Sequence, residues 1–178
     1  MKASDYQIII IGAGVVGLAV ARALAEKGKQ SVLIIDRETG FGRGISGRNS
    51  EVIHSGIYYP QNTLKSKYCI KGRDLLYQYC ASNNVFHQKC GKIIIADEYQ
   101  EEALMNLFHL GESKNLGALK LLSKKEISHH EPNINGVIGL LIESTGIIDA
   151  HGLMSSFYQR SNSSDHDYLF QSTVMDCE

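Results

Sequence analysis

The chain has 178 residues, 43% of them hydrophobic and 21% charged, with a formal net charge of -1. That length suffices for one domain with a sizeable core, or for one domain and part of a second, and nothing in the balanced charge suggests a nucleic-acid surface. The longest apolar run, Ile8 to Ala25, is interrupted by three glycines and Arg22, which excludes a membrane span.

The segment MKASDYQ leads directly into that run, so no signal or transit peptide is expected. Cys69, Cys80, Cys90 and Cys177 show no CxxC spacing and are expected to be reduced thiols of a cytoplasmic protein. No metal site is expected. His129 and His130 are adjacent, so their side chains point in different directions on a helix or strand.

In chain order, Ile8 to Asp36 reads as a strand, a glycine turn, a helix and a second strand ending in a carboxylate. Each glycine has a mechanical reason. Gly12 permits a tight turn, Gly14 lets backbone approach a pyrophosphate, and Gly17 lets helix and strand pack closely. Four consecutive isoleucines predict a first strand buried on both faces. Gly28 sits where a helix-ending residue of positive φ is wanted, and Val32 to Ile35 supply the second strand. Asp36, nineteen residues beyond Gly17, is spaced to accept hydrogen bonds from both hydroxyls of an adenosine ribose. It would repel a 2′-phosphate, which disfavours NADP, although Arg37 beside it keeps that reading open.

A glycine-rich stretch, Thr39 to Ser50, and an apolar-aromatic segment ending at Pro60 follow. Helical spacing predicts a helix over Leu64 to Ala81, ended by Asn83 and Asn84. Next come a β-branched strand, Cys90 to Ala96, and an amphipathic helix, Asp97 to Asn115, followed by Gly117. Leu119 to Leu122 reads as a short strand, and Ser123 with Glu126 as a capping box opening a helix that must stop before Pro132. Val137 to Ile142 and Gly146 to Ile148 read as strands. Asp149 is expected to cap a helix through Gln159, and Tyr168 to Val174 to form a last strand. The order implies a Rossmann-like α/β nucleotide domain interrupted by a strand-rich α+β insert, rather than a continuous alternation of strand and helix. The expected boundaries are residues 1–84, the insert 85–149, and a return at 150–178.

Gly12-Ala13-Gly14-Val15-Val16-Gly17, together with the run from Gly44 to Tyr59 (GISGRNSEVIHSGIYY), resembles the FAD-dependent oxidoreductases of the D-amino-acid oxidase superfamily. The L-2-hydroxyglutarate dehydrogenases are the branch it resembles most. The likeness extends through Leu64-Lys65, Cys90-Gly91-Lys92, Glu131 to Ile134 and Gly146 to Asp149. It implies FAD as cofactor and oxidation of a 2-hydroxy acid, with oxygen or a quinone as electron acceptor. Its alternatives are a relative oxidising an amine or glycerol 3-phosphate, and a non-catalytic nucleotide-binding remnant. Asp36 stands where the family usually carries glutamate. Family members run to about twice this length, so the resemblance also implies an N-terminal half, inactive alone and prone to self-association through exposed edges.

The resemblance places the segment of His54 beside the flavin ring. His54 is the best candidate base, since an unperturbed imidazole titrates near neutrality, or it only packs at the flavin edge. Tyr58, Tyr59 and Lys92 are candidates to hold a carboxylate; their plain alternatives are core aromatics and a solvated strand-end charge. Ser46, Arg48, Asn49 and Ser50 are expected where a second helix N-terminus meets the pyrophosphate, or serve as a polar cap. The resemblance puts the backbone of Val174 against the adenine.

Overall fold

The computed structural model describes residues 6–164 and 166–176. The chain divides into two compact units, residues 1–51 with 149–178, and residues 52–148.

The first unit begins with β1 (Ile8–Ile11), α1 (Val15–Glu26) and β2 (Val32–Ile35). β1 pairs with β2 in parallel, from Ile8 opposite Val32 to Ile11 opposite Ile35. Gly17 lets α1 pack closely on the turn after β1, because a Cβ there would run into the Gly12 carbonyl oxygen. Gly28, at φ +65°, closes the helix as expected. Ala13, Ala21, Val32 and Ile34 form the core, with Ile8 and Ile10 packed on it. Burial of β1 on both faces is not found: Ile9 is 43% and Ile11 62% exposed. β1 is the outer strand of its sheet, and only alternate side chains reach the helix side.

The chain enters the second unit at β3 (Val52–Ile53), followed by α2 (Leu64–Ser82), β4 (His87–Gln88) and β5 (Lys92–Ala96). It continues through α3 (Glu101–Ser113), β6 (Leu119–Ser123), α4 (Lys124–His130), β7 (Ile138–Ile142) and β8 (Gly146–Ile148). β7 lies between β5 and β6, antiparallel to both, while β8 lies between β3 and β4. Ile57, Leu104, Leu116, Leu140 and Ile142 fill the core. Thr63 caps α2 by accepting from Ser66 N–H at 3.1 Å. The capping box of α4 closes in both directions: the Ser123 hydroxyl accepts from Glu126 N–H, and Glu126 Oε2 accepts from Ser123 N–H at 2.9 Å.

The compact units divide after Glu51, where the sequence reading cut after residue 84. α2 explains the difference, because its side chains are spent inside the second unit. Arg73 donates to the Leu116 carbonyl at 3.0 Å, Tyr77 to that of Ser144 at 3.2 Å, and Ile70 packs on the core.

Back in the first unit, α5 (Ala150–Asn162), capped by Asp149, lies against α1, and β9 (Asp167–Leu169) pairs in parallel with β2. The last strand is shorter than expected. From Phe170 the chain leaves the ladder but stays tied to the loop after β2, with Gln171 N–H donating to the Glu38 carbonyl and Ser172 N–H to that of Asp36. Cys69, Cys80 and Cys90 are free thiols; Cys177 lies outside the described residues.

Candidate functional site

In the first unit a groove of about 440 Å³ opens along the turn after β1, within the usual range for small-molecule sites. Gly12, Gly14, Asp36, Arg37, Ser46 and Val174 all line it. Gly12 has φ +105°, a conformation only glycine adopts at no cost. Gly14 is the N-cap of α1 and carries no side-chain cap, and the first helical turn holds no acidic residue. Apart from the Val15 N–H, which Ser46 takes, the positive end of the helix is therefore left for an anion. A Cβ on Gly14 would lie 2.9 Å from Ser46 Oγ, which itself accepts from Val15 N–H at 3.0 Å. Asp36 ties the turn to the next loop: Oδ2 accepts from Ala13 N–H at 2.6 Å and Oδ1 from Glu38 N–H at 2.9 Å. Arg37 lies 3.5 Å from Glu38 in a largely exposed pair of little energetic weight.

Not every expected cofactor residue reaches the groove. Ala13 is fully buried, its N–H spent on Asp36, and Val16 is 74% exposed outside the lining. The second helix expected after Gly44 is only a 3-10 turn, Ile45–Gly47. Beyond it Arg48, Asn49 and Ser50 are exposed and do not line the groove. Asn49 is spent on its own loop, donating to the Ser46 carbonyl and accepting from Glu51 N–H, both at 2.8 Å. Conversely, Gly42, Ile45 and Thr173 line the groove without having been singled out. Gly42, at φ +69° with its N–H on the Ala13 carbonyl, shows why the GFGRG run is glycine-rich.

In the second unit, the loop after β3 brings His54, Tyr58 and Tyr59 together with Lys92 from the start of β5. They surround a recess of about 10 Å³, room for roughly one water. Lys92 donates to Tyr58 Oη at 3.0 Å, with its ammonium 4.6 Å from that ring's centre; Lys65 stands 4.4 Å over Tyr59. His54 is exposed, and its ring makes no hydrogen bond with another described residue. Its carbonyl accepts from the Cys69 thiol at 3.5 Å, and burial pushes that thiol's pKa up, against the opposing pull of Arg73, Lys65 and Lys114, keeping it a donor.

Two residues escaped the sequence reading here. Thr145, 4% exposed, lines the recess with a buried hydroxyl that finds no partner among the described residues. Lys114 sends its ammonium onto the carbonyls of Gly56, Ile57 and Tyr59. Nothing local in the sequence marks either, because both depend on long-range contacts.

Among curated relatives, the mitochondrial L-2-hydroxyglutarate dehydrogenase of Arabidopsis thaliana is 46% identical over 154 residues, 86% of this chain and 32% of that protein. The human mitochondrial enzyme of the same name is 37% identical over 158 residues, 88% of this chain and 34% of that protein. The chain thus spans about a third of the length of the curated relatives it matches. These names overturn the expectation of a cytoplasmic protein, since the relatives carrying them are mitochondrial. No helix among the described residues is long and apolar enough to cross a membrane.

Among solved structures, reduced L-α-glycerophosphate oxidase from Mycoplasma pneumoniae with FAD bound superposes with a TM-score of 0.88 at 27% identity, over 95% of this chain and 45% of that one. Glycine oxidase from Geobacillus kaustophilus, at 19% identity and a TM-score of 0.86 over 96% of this chain and 48% of that one, shows the same fold. A family model described as FAD dependent oxidoreductase (DAO) matches residues 7–178, and the chain belongs to that family of FAD-dependent oxidoreductases.

Proposed function

We propose that this chain forms part of a flavin-dependent enzyme that oxidises a 2-hydroxy acid, L-2-hydroxyglutarate to 2-oxoglutarate, with its first unit as the FAD-binding part and its second as part of the substrate side. The observation that carries the reading is the groove at the α1 N-terminus, backbone-lined, free of a competing carboxylate cap and bordered by Asp36, in a chain 46% identical to a dehydrogenase of that name. The residues fit the cofactor. Gly12 and Gly14 give the pyrophosphate close access to backbone, Ser46 and the helix end offer polar contacts, Asp36 accepts from ribose hydroxyls, and Val174 borders the adenine position.

Bound flavin supplies a two-electron acceptor that no side chain of this protein provides. Within this reading, His54 takes the proton of the substrate's C2 hydroxyl onto a ring nitrogen, and its exposure leaves that ring accessible. Lys92 and Tyr58, already joined at 3.0 Å, offer an ammonium and a phenol to a carboxylate, with Tyr59 beside them. The final electron acceptor is oxygen or a quinone, and the isolated chain self-associates through the exposed β1 side chains. Oxidation of glycerol 3-phosphate is the second reading, favoured by the superposition on the Mycoplasma oxidase.

The test is titration of the purified chain with FAD. A yellow, thermally stabilised protein is expected, without steady oxidation of L-2-hydroxyglutarate; a colourless protein that FAD fails to stabilise would sink the cofactor assignment.

A further inference from the structure

Lys114 occupies the C-cap of α3, where a basic side chain ordinarily stays in water or turns back onto the last carbonyls of its own helix. Here it does neither. Its ammonium reaches more than fifty positions back along the chain and donates to Gly56 O at 3.3 Å, to Ile57 O at 3.0 Å and, closer still, to Tyr59 O. An ammonium has three N–H donors, and these three carbonyls account for all of them. No carboxylate is paired with it among the described residues, and burial draws its pKa below the usual lysine value, with only the weaker influence of Cys69 opposing.

The carbonyls it gathers belong to one tight corner. Gly56 has φ +89°, and its carbonyl also accepts from Tyr59 N–H at 3.3 Å. Ile57, 2% exposed, plugs into the core from the same corner. The loop is therefore held by its apolar side chain and by its carbonyls at once. Ser55, 3% exposed, adds to that hold by accepting from Ile57 N–H at 3.4 Å, whereas His54 is exposed and Tyr58 is 52% exposed with only Lys92 on its hydroxyl. A flexible, fully hydrated lysine is a costly way to bind backbone, since its rotamer freedom and hydration are both lost. The arrangement is explained if the corner must keep one shape.

We propose that Lys114 is the positioning residue of the His54–Tyr59 segment: by saturating its ammonium on three carbonyls it fixes the backbone from which His54, Tyr58 and Tyr59 project. It touches none of the reacting groups, and its bearing on the reaction rests on the roles given to His54 and Tyr58 above.

Hydrogen exchange of the chain, free of flavin and substrate, tests the clasp apart from that chemistry. In Lys114→Met, which keeps the stem and loses the donors, amides in the peptide spanning residues 56–60 are expected to exchange at least tenfold faster, while those of β1 and α1 are unchanged. Lys114→Arg, which keeps charge and donors, is expected to remain within about threefold of the native rate. The His54 ring proton resonance, assigned with His54→Gln, should move in the methionine variant and return in the arginine one. Exchange in Lys114→Met within threefold of native, or an acceleration spread evenly over the second unit in both variants, would overturn the proposal. A working clasp beside an undiminished flavin-reduction rate, when the residue matching His54 is changed to glutamine in a full-length relative, would instead remove only the base assignment.

Discussion

The groove of the first unit and the recess of the second are built from opposite materials. The groove is mostly main chain: Gly12, Gly14 and a helix end shape it, and Asp36 staples its walls through backbone N–H groups. The recess is a meeting of side chains, an imidazole, two phenols and an ammonium, on a corner whose backbone is held from behind by a distant lysine. A main-chain site tolerates change in most side chains but none in the glycines, because the requirement is for the absence of a Cβ. A side-chain site can be altered with little loss of stability, provided its supporting corner survives. The two should therefore fail differently.

The largest expected effect is Gly17→Val. Any Cβ there meets the Gly12 carbonyl and lies 3.3 Å from Ile10 Cγ2, so β1 and α1 must part. A loss of about 3 kcal/mol or more is expected in chemical denaturation, together with loss of FAD-dependent stabilisation; a variant as stable as the native chain would break the contrast. Gly56→Ala comes next. It is the one position in the second unit's loop that shares the main-chain requirement, with φ +89° and Ile70 Cγ1 3.1 Å from the added carbon. About 1–2 kcal/mol is expected, and a cost equal to that of Gly17→Val would show that the recess is main-chain-built after all. The smallest effect lies at α4, in the second unit. Hydrogen bonds from Lys120 and Ser123 hold the Glu126 carboxyl down to about 2, against an ordinary 4.5. A depressed acid contributes in full above its unfolded value, so the capping box should be intact above about pH 4.5 and fade as pH falls toward 2. Amide protection at Ser123 across that range reads it directly; constant protection would refute it.

The same contrast decides what could be read from the residues alone. Glycine spacing, the capping box and the helix over Leu64 to Ser82 are local, and each stands close to where pattern places it. Four isoleucines in a row cannot report whether both faces of a strand are covered: Ile8 and Ile10 pack on the core, while Ile9 and Ile11 lie on the open face of the sheet. Arg48, Asn49 and Ser50 look like phosphate ligands by type, yet the 3-10 turn ends before them and Asn49 closes on its own loop. The shift of the boundary from residue 84 to Glu51 has a similar origin, since only Arg73, Tyr77 and Ile70 reveal which unit α2 serves. Lys114 and Thr145 were illegible for the same reason: their meaning lies in carbonyls and neighbours remote in sequence.

Asp36 keeps acceptor capacity in reserve. A carboxylate offers about four lone-pair positions, and here one on each oxygen is taken by a backbone N–H. Two acceptor positions remain, the number of protons a vicinal diol can donate. The residue can thus brace the turn before any nucleotide arrives and still greet a sugar without releasing what it already holds. Binding on such terms begins from an ordered wall, and little of the ligand's contact energy need go into making one.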